Sequence, residues 1–121
     1  MEFQVPGSGV RFTVPDEWWD FCEMRDFRPP STCYLYEANT PQTLVVSVNE
    51  VEPPRRDVGL PPFRKCKLAP ILLAFGSPRC PLPPLLVELI NSGSYRYRVL
   101  NGYHRFYASV AAGYSKLPVT F

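Results

Sequence analysis

Asn101-Gly102-Tyr103-His104-Arg105-Phe106-Tyr107-Ala108 lies between a stretch with strand character, Tyr95 to Leu100, and a short helical stretch that ends at Gly113. A glycine between strand and helix lets the backbone turn sharply. The helix that follows presents unpaired N–H groups and the positive end of its dipole. That is the geometry of an anion site. His104 and Arg105 in the first turn add an imidazole and a planar, permanently charged fork that matches phosphate oxygens.

Before the turn, Leu85 to Ile90 reads as a strand, Asn91-Ser92-Gly93-Ser94 as a tight connection, and Tyr95 to Leu100 as the antiparallel return. Period-two alternation puts Arg96 and Arg98 on one face of that return strand and Tyr95, Tyr97 and Val99 on the other. Downstream, a helix over Tyr103 to Ala112 stops at Gly113, and a last strand runs from Leu117 to Phe121. Upstream, Phe63 to Phe75 has apolar residues at helical spacing, interrupted by Pro70. The expectation is a helix that is kinked at Pro70 or begins close to it.

Further toward the N-terminus, Cys33 to Glu37 and Thr43 to Val51 read as strands paired across a turn at Asn39-Thr40-Pro41. Val10 to Val14 alternates as a short strand. Pro15-Asp16 opens a helix with Asp16 as its N-cap, whose apolar face includes Trp18, Trp19, Phe21, Cys22 and Met24. The Trp pair at that spacing reads as core, not as a platform for stacking bases. Together these elements predict an α+β fold, a small mixed sheet with short helices.

The 121 residues suit one domain, and 45% hydrophobic content is enough to bury a core. Fifteen prolines, many in pairs, argue for short elements joined by stiff connectors. Met1 to Val10 lacks a basic start followed by an apolar run, so it does not read as a signal peptide, and no stretch reaches membrane-span length. The expected location is the cytoplasm. Cys22, Cys33, Cys66 and Cys80 form no Cys-x-x-Cys pair and there is a single histidine, so neither a zinc site nor a multi-histidine metal site is expected. The thiols are expected to be reduced and at least partly buried.

Charge is unevenly spread along the chain. Residues 1–52 carry about −6 and residues 53–121 about +8, although the total is only +2. Two explanations stand: an anionic partner for the second half, or an acidic half that packs against a basic one.

The tail Pro81-Leu82-Pro83-Pro84-Leu85-Leu86-Val87, then Tyr95-Arg96-Tyr97, Asn101 to Ala108, Ala112-Gly113 and Leu117-Pro118-Val119, resembles the ParB/sulfiredoxin superfamily. The likeness covers a core over residues 45–121 and includes Val48-Asn49-Glu50-Val51-Glu52-Pro53-Pro54-Arg55, which is similar to the superfamily's strand and "P-x-R" segment. Residues 1–40 match no motif and are expected to pack on that core within one domain, 1–121. The resemblance implies a domain that holds the phosphates of a nucleotide, ATP or CTP with Mg²⁺, or of nucleic acid, at the Gly-x-His-Arg turn. Relatives include sulfiredoxins, CTP-binding partition proteins, free-serine kinases and ParB-like nucleases, and one fold hosting several chemistries cannot choose among them.

Three departures narrow that range. Tyr103 stands where sulfiredoxins carry their catalytic Cys, and a phenol lacks a thiolate's nucleophilicity, so sulfinic-acid repair is not expected. The sequence ends at Phe121 without the helix-turn-helix of partition proteins, so that sequence reader is not expected either. Asn101 replaces an Asp common in the kinase and nuclease branches.

The residues expected to grip phosphate are Gly102, Tyr103, His104 and Arg105, with Arg55 and Arg56 as a second grip. The candidates for catalysis are His104, Glu50 and Glu52, with Asp57 nearby in the basic loop; any of these carboxylates could hold Mg²⁺ or activate a hydroxyl. Each also has a plain structural account: a satisfied histidine, a surface ion pair, a solvated loop. Three functions follow. One is nucleotide-phosphate binding, with weak hydrolysis or phosphotransfer left open. The second is DNA binding or nuclease-type activity through the basic half. The third is a protein-interaction module that uses the N-terminal segment and has a vestigial phosphate site.

Overall fold

The computed structural model describes residues 1–37, 42–55 and 63–121. It is a small α+β protein, and the described residues form a two-stranded ribbon, a five-stranded mixed sheet and three short α-helices. The ribbon pairs β1 (Glu2–Gln4) antiparallel with β2 (Arg11–Thr13), Phe3 facing Phe12. Phe12 is buried between exposed Arg11 and Thr13, the alternation expected of a half-buried strand. β1 was not foreseen, because three residues are too few to show a period.

α1 (Asp16–Phe21) departs from expectation at both ends. Pro15, not Asp16, is the N-cap, and its carbonyl accepts the Trp18 and Trp19 N–H groups. The Asp16 carboxylate instead takes the Met1 ammonium at 2.6 Å. The helix closes at Cys22, where Glu23 turns to φ 56°, although Met24 still reaches the core. Trp19 is buried and Trp18 packs partly buried against the same core, in agreement with their helical spacing.

The expected strand over Cys33 to Glu37 is reduced to a single parallel bridge, Tyr36 to Leu82. Its expected partner pairs elsewhere, and the turn at Asn39-Thr40-Pro41 lies outside the described residues. The expected long strand over Thr43 to Val51 is broken in two: β3 (Leu44–Ser47), one 3-10 turn over Val48–Glu50, and β4 (Val51–Glu52). Ser47 makes the break, its Oγ accepting the Asn49 N–H at 3.3 Å and capping the turn. The two pieces then go to opposite edges of the sheet, whose order is β3-β7-β5-β6-β4.

α2 (Lys65–Phe75) runs through Pro70, which lies inside it. β5 (Leu85–Ser92) and β6 (Tyr95–Asn101) form the expected antiparallel hairpin, with register shifts near both of its ends. α3 (Tyr103–Ala112) and β7 (Lys116–Thr120) complete the chain, β7 lying parallel to β5 and antiparallel to β3. Leu68 and Leu72 of α2, Phe106 and Ala108 of α3, and Leu85, Leu117 and Val119 of the sheet are buried together. The Cys22 thiol donates to Ala69 O within that core, at 3.6 Å. Cys33 is half-buried, but Cys66 and Cys80 are exposed, contrary to the expectation of burial; all four thiols are free. Among the described residues no helix is long and apolar enough to cross a membrane.

Candidate anion-binding site

The site is built on Gly102. β6 ends at Asn101, and Gly102 takes φ 130°, ψ 25° as the N-cap of α3. A Cβ at this position would stand 2.8 Å from Leu85 Cγ, and Leu85 is fully buried. The first bond of α3 runs from Phe106 N–H to Gly102 O at 2.8 Å, so the helix begins directly at the turn. Buried Ser109 donates to Arg105 O at 2.7 Å, and the Tyr107 hydroxyl donates to Pro54 O. That last bond fastens α3 to the segment bearing Arg55. At the far end Gly113 adopts φ 96°, and the Tyr114 N–H returns to Ser109 O at 3.0 Å, closing the helix as its sequence predicted.

Two depressions flank the Gly102–Tyr103 step and share Asn101, Gly102 and Tyr103. The larger, about 740 Å³, is lined by Glu52, Arg55, Arg98 and Leu100. The smaller, about 440 Å³, is lined by Arg64, Lys67, Ile71, His104 and Arg105. The structure thus brings together Gly102, Tyr103, His104, Arg105 and Arg55 of the predicted grip. Arg56 and Asp57 lie outside the described residues.

His104 is half-buried. Its Nε2 accepts the Arg64 N–H at 3.3 Å, and its ring contacts Phe63 and Tyr103 edge-on, with centroids 5.9 and 5.1 Å away. Burial, then the charges of Lys67 and Arg64, push its pKa below the ordinary 6.5, so the ring is a neutral acceptor at neutral pH. Arg105 is held in place by backbone carbonyls. Its Nη1 donates to Pro83 O at 2.7 Å and to Pro84 O at 2.8 Å, and the Tyr34 hydroxyl meets the same Pro83 O at 2.6 Å. The acceptors of this guanidinium are backbone carbonyls of the two-proline strap before β5, not an acidic side chain.

The carboxylates proposed for catalysis are engaged as well. Glu52 takes Arg98 Nε at 3.2 Å, Glu88 lies 3.7 Å from the same guanidinium, and Glu50 lies 4.0 Å from Arg96. The charge asymmetry is therefore partly spent within the molecule, where acids of the first half meet arginines of the second. Around the smaller depression it is not. Arg64, Lys67 and Arg105 make no ion pair with a carboxylate among the described residues, whereas Arg11, Arg25, Arg96 and Arg98 all do. Arg64 and Lys67 were missed at the sequence level. The basic run Arg64-Lys65-Cys66-Lys67 at the start of a predicted helix was the available signal, but only the fold sets it opposite His104.

No family model, no curated protein and no solved structure matches this chain.

Proposed function

We propose that the chain is a ParB/sulfiredoxin-like domain that binds the phosphate of a nucleotide, ATP or CTP with Mg²⁺, at the turn from Gly102 to Arg105. The observation that carries this reading is the cluster of Arg64, Lys67 and Arg105 around the start of α3 without a carboxylate partner among the described residues. Like charges gathered around an open depression and a helix N-terminus repel one another, and an anion relieves that repulsion. Arg55 and the larger depression offer room for the remainder of the ligand. The nucleic-acid reading loses one of its supports, because Arg96 and Arg98, which would extend a basic strip along the sheet, are neutralised by Glu50, Glu52 and Glu88.

Titration with ATP, CTP and ADP, each with Mg²⁺, is expected to shift the backbone resonances of Gly102 to Phe106 together with those of Arg64 and Lys67. Lys67→Ala is the cleaner variant, since Lys67 is exposed and Arg105 also ties down the strap before β5. Losing one charge-assisted contact should weaken binding about tenfold. The absence of any response to all three nucleotides would sink the reading.

A further inference from the structure

The smaller depression lies between the N-terminal ends of α2 and α3, and a bond from Arg64 N–H to His104 Nε2 links them. An imidazole that accepts through Nε2 is neutral, its proton carried on Nδ1. The groups around that ring include no acid among the described residues: Lys67 from α2, Arg64 at its N-cap and Phe63 before that, Tyr103 and Arg105 from α3. A second proton on His104 would break the bond to Arg64 and add a third cation beside Arg64 and Lys67. In the free protein both effects oppose protonation, as does burial of the ring.

An anion in the depression reverses each of them. It offsets the charge of Arg64 and Lys67, accepts a hydrogen bond from a protonated Nε2, and gives the released Arg64 N–H a new acceptor. We propose that this site takes up its anion together with one proton, which is carried on His104. The inference rests on the phosphate-binding reading above and adds its regulation: the bound form holds more protons than the free form. Affinity then rises as pH falls through the window between the free and bound midpoints of His104, and is flat well above it. Each unit by which binding raises that midpoint corresponds to about tenfold in affinity.

Sulfate is the probe of choice because its charge does not change across the histidine range, so any pH dependence belongs to the protein. His104 is the chain's single histidine, so its ring resonances are unambiguous. With the intact chain, sulfate is expected to raise the His104 midpoint and to bind about tenfold more tightly at about pH 5.5 than at about pH 8. Calorimetry in buffers of different ionisation enthalpy should register net proton uptake. His104→Gln, which can still accept from Arg64 N–H but does not titrate, should lose the pH dependence. If that variant does not fold, the ring titration of the wild-type chain with and without sulfate decides. Sulfate binding that is independent of pH, with an unmoved His104 midpoint, overturns proton coupling and leaves the anion site standing. No sulfate response at any pH also overturns it, and if the nucleotides are silent too, the phosphate-binding reading falls with it.

Discussion

Gly102 is held by two separate constraints, one conformational and one steric. Its φ of 130° lies where a side chain is strained, and the space a Cβ would need belongs to Leu85, a residue with no exposure. Gly102→Ala should therefore lower stability by about 2–4 kcal/mol, combining backbone strain with overpacking at a core leucine. Denaturant unfolding of the variant checks this; a midpoint within error of wild type would mean that the turn can relax. The need for a glycine between strand and helix was legible from Asn101-Gly102-Tyr103 alone. The clash with Leu85 was not, because it depends on β5 lying beside the turn. Arg105 shows the same division. Its chemistry as a planar donor is a property of the residue, but the acceptors it found, Pro83 O and Pro84 O, lie more than twenty positions away.

At the scale of elements, helix α2 carries an internal inconsistency. Pro70 lies inside it and is exposed, so its ring contributes no burial that would offset the missing N–H. The carbonyl of Cys66, four residues earlier, loses its helical donor. Pro70→Ala should stabilise the protein by about 1–2 kcal/mol, less than the full cost of proline in a helix because the unfolded chain gains freedom as well. A lower denaturation midpoint for this variant would show that Pro70 serves the bend or packing of α2. The apolar spacing of Leu68, Ile71, Leu72 and Phe75 identified this helix in spite of the proline, because tertiary burial outweighs propensity. The strands over Cys33 to Glu37 and Thr43 to Val51 failed for the opposite reason. Short β-prone runs do not specify their partners, and the capping Ser47 hydroxyl ended β3 within a sequence that looks continuous.

On the scale of the whole molecule, the N-terminal ribbon is part of the same core as the site. Phe12 is 1% exposed and meets Phe3, Phe63 and Tyr107 at centroid distances of 5.0 to 5.8 Å. Tyr107 in turn holds Pro54, beside Arg55, and Phe63 contacts His104. Phe12→Ala should cost about 3–5 kcal/mol, as expected for emptying a packed aromatic site. A near-neutral effect would mean that residues 1–13 are a detachable arm. Sequence alone determined the hairpin before the turn, the strand–Gly–helix junction and the stop at Gly113, because each rests on contacts within a few residues or on the pattern of one face. Tertiary structure alone decided which cations are free to meet an anion. Arg96 and Arg98 have the same chemistry as Arg64, but among the described residues they have Glu50, Glu52 and Glu88 within reach and Arg64 has no carboxylate partner. Charge pairing depends on distances set by strand order, and no local pattern encodes strand order.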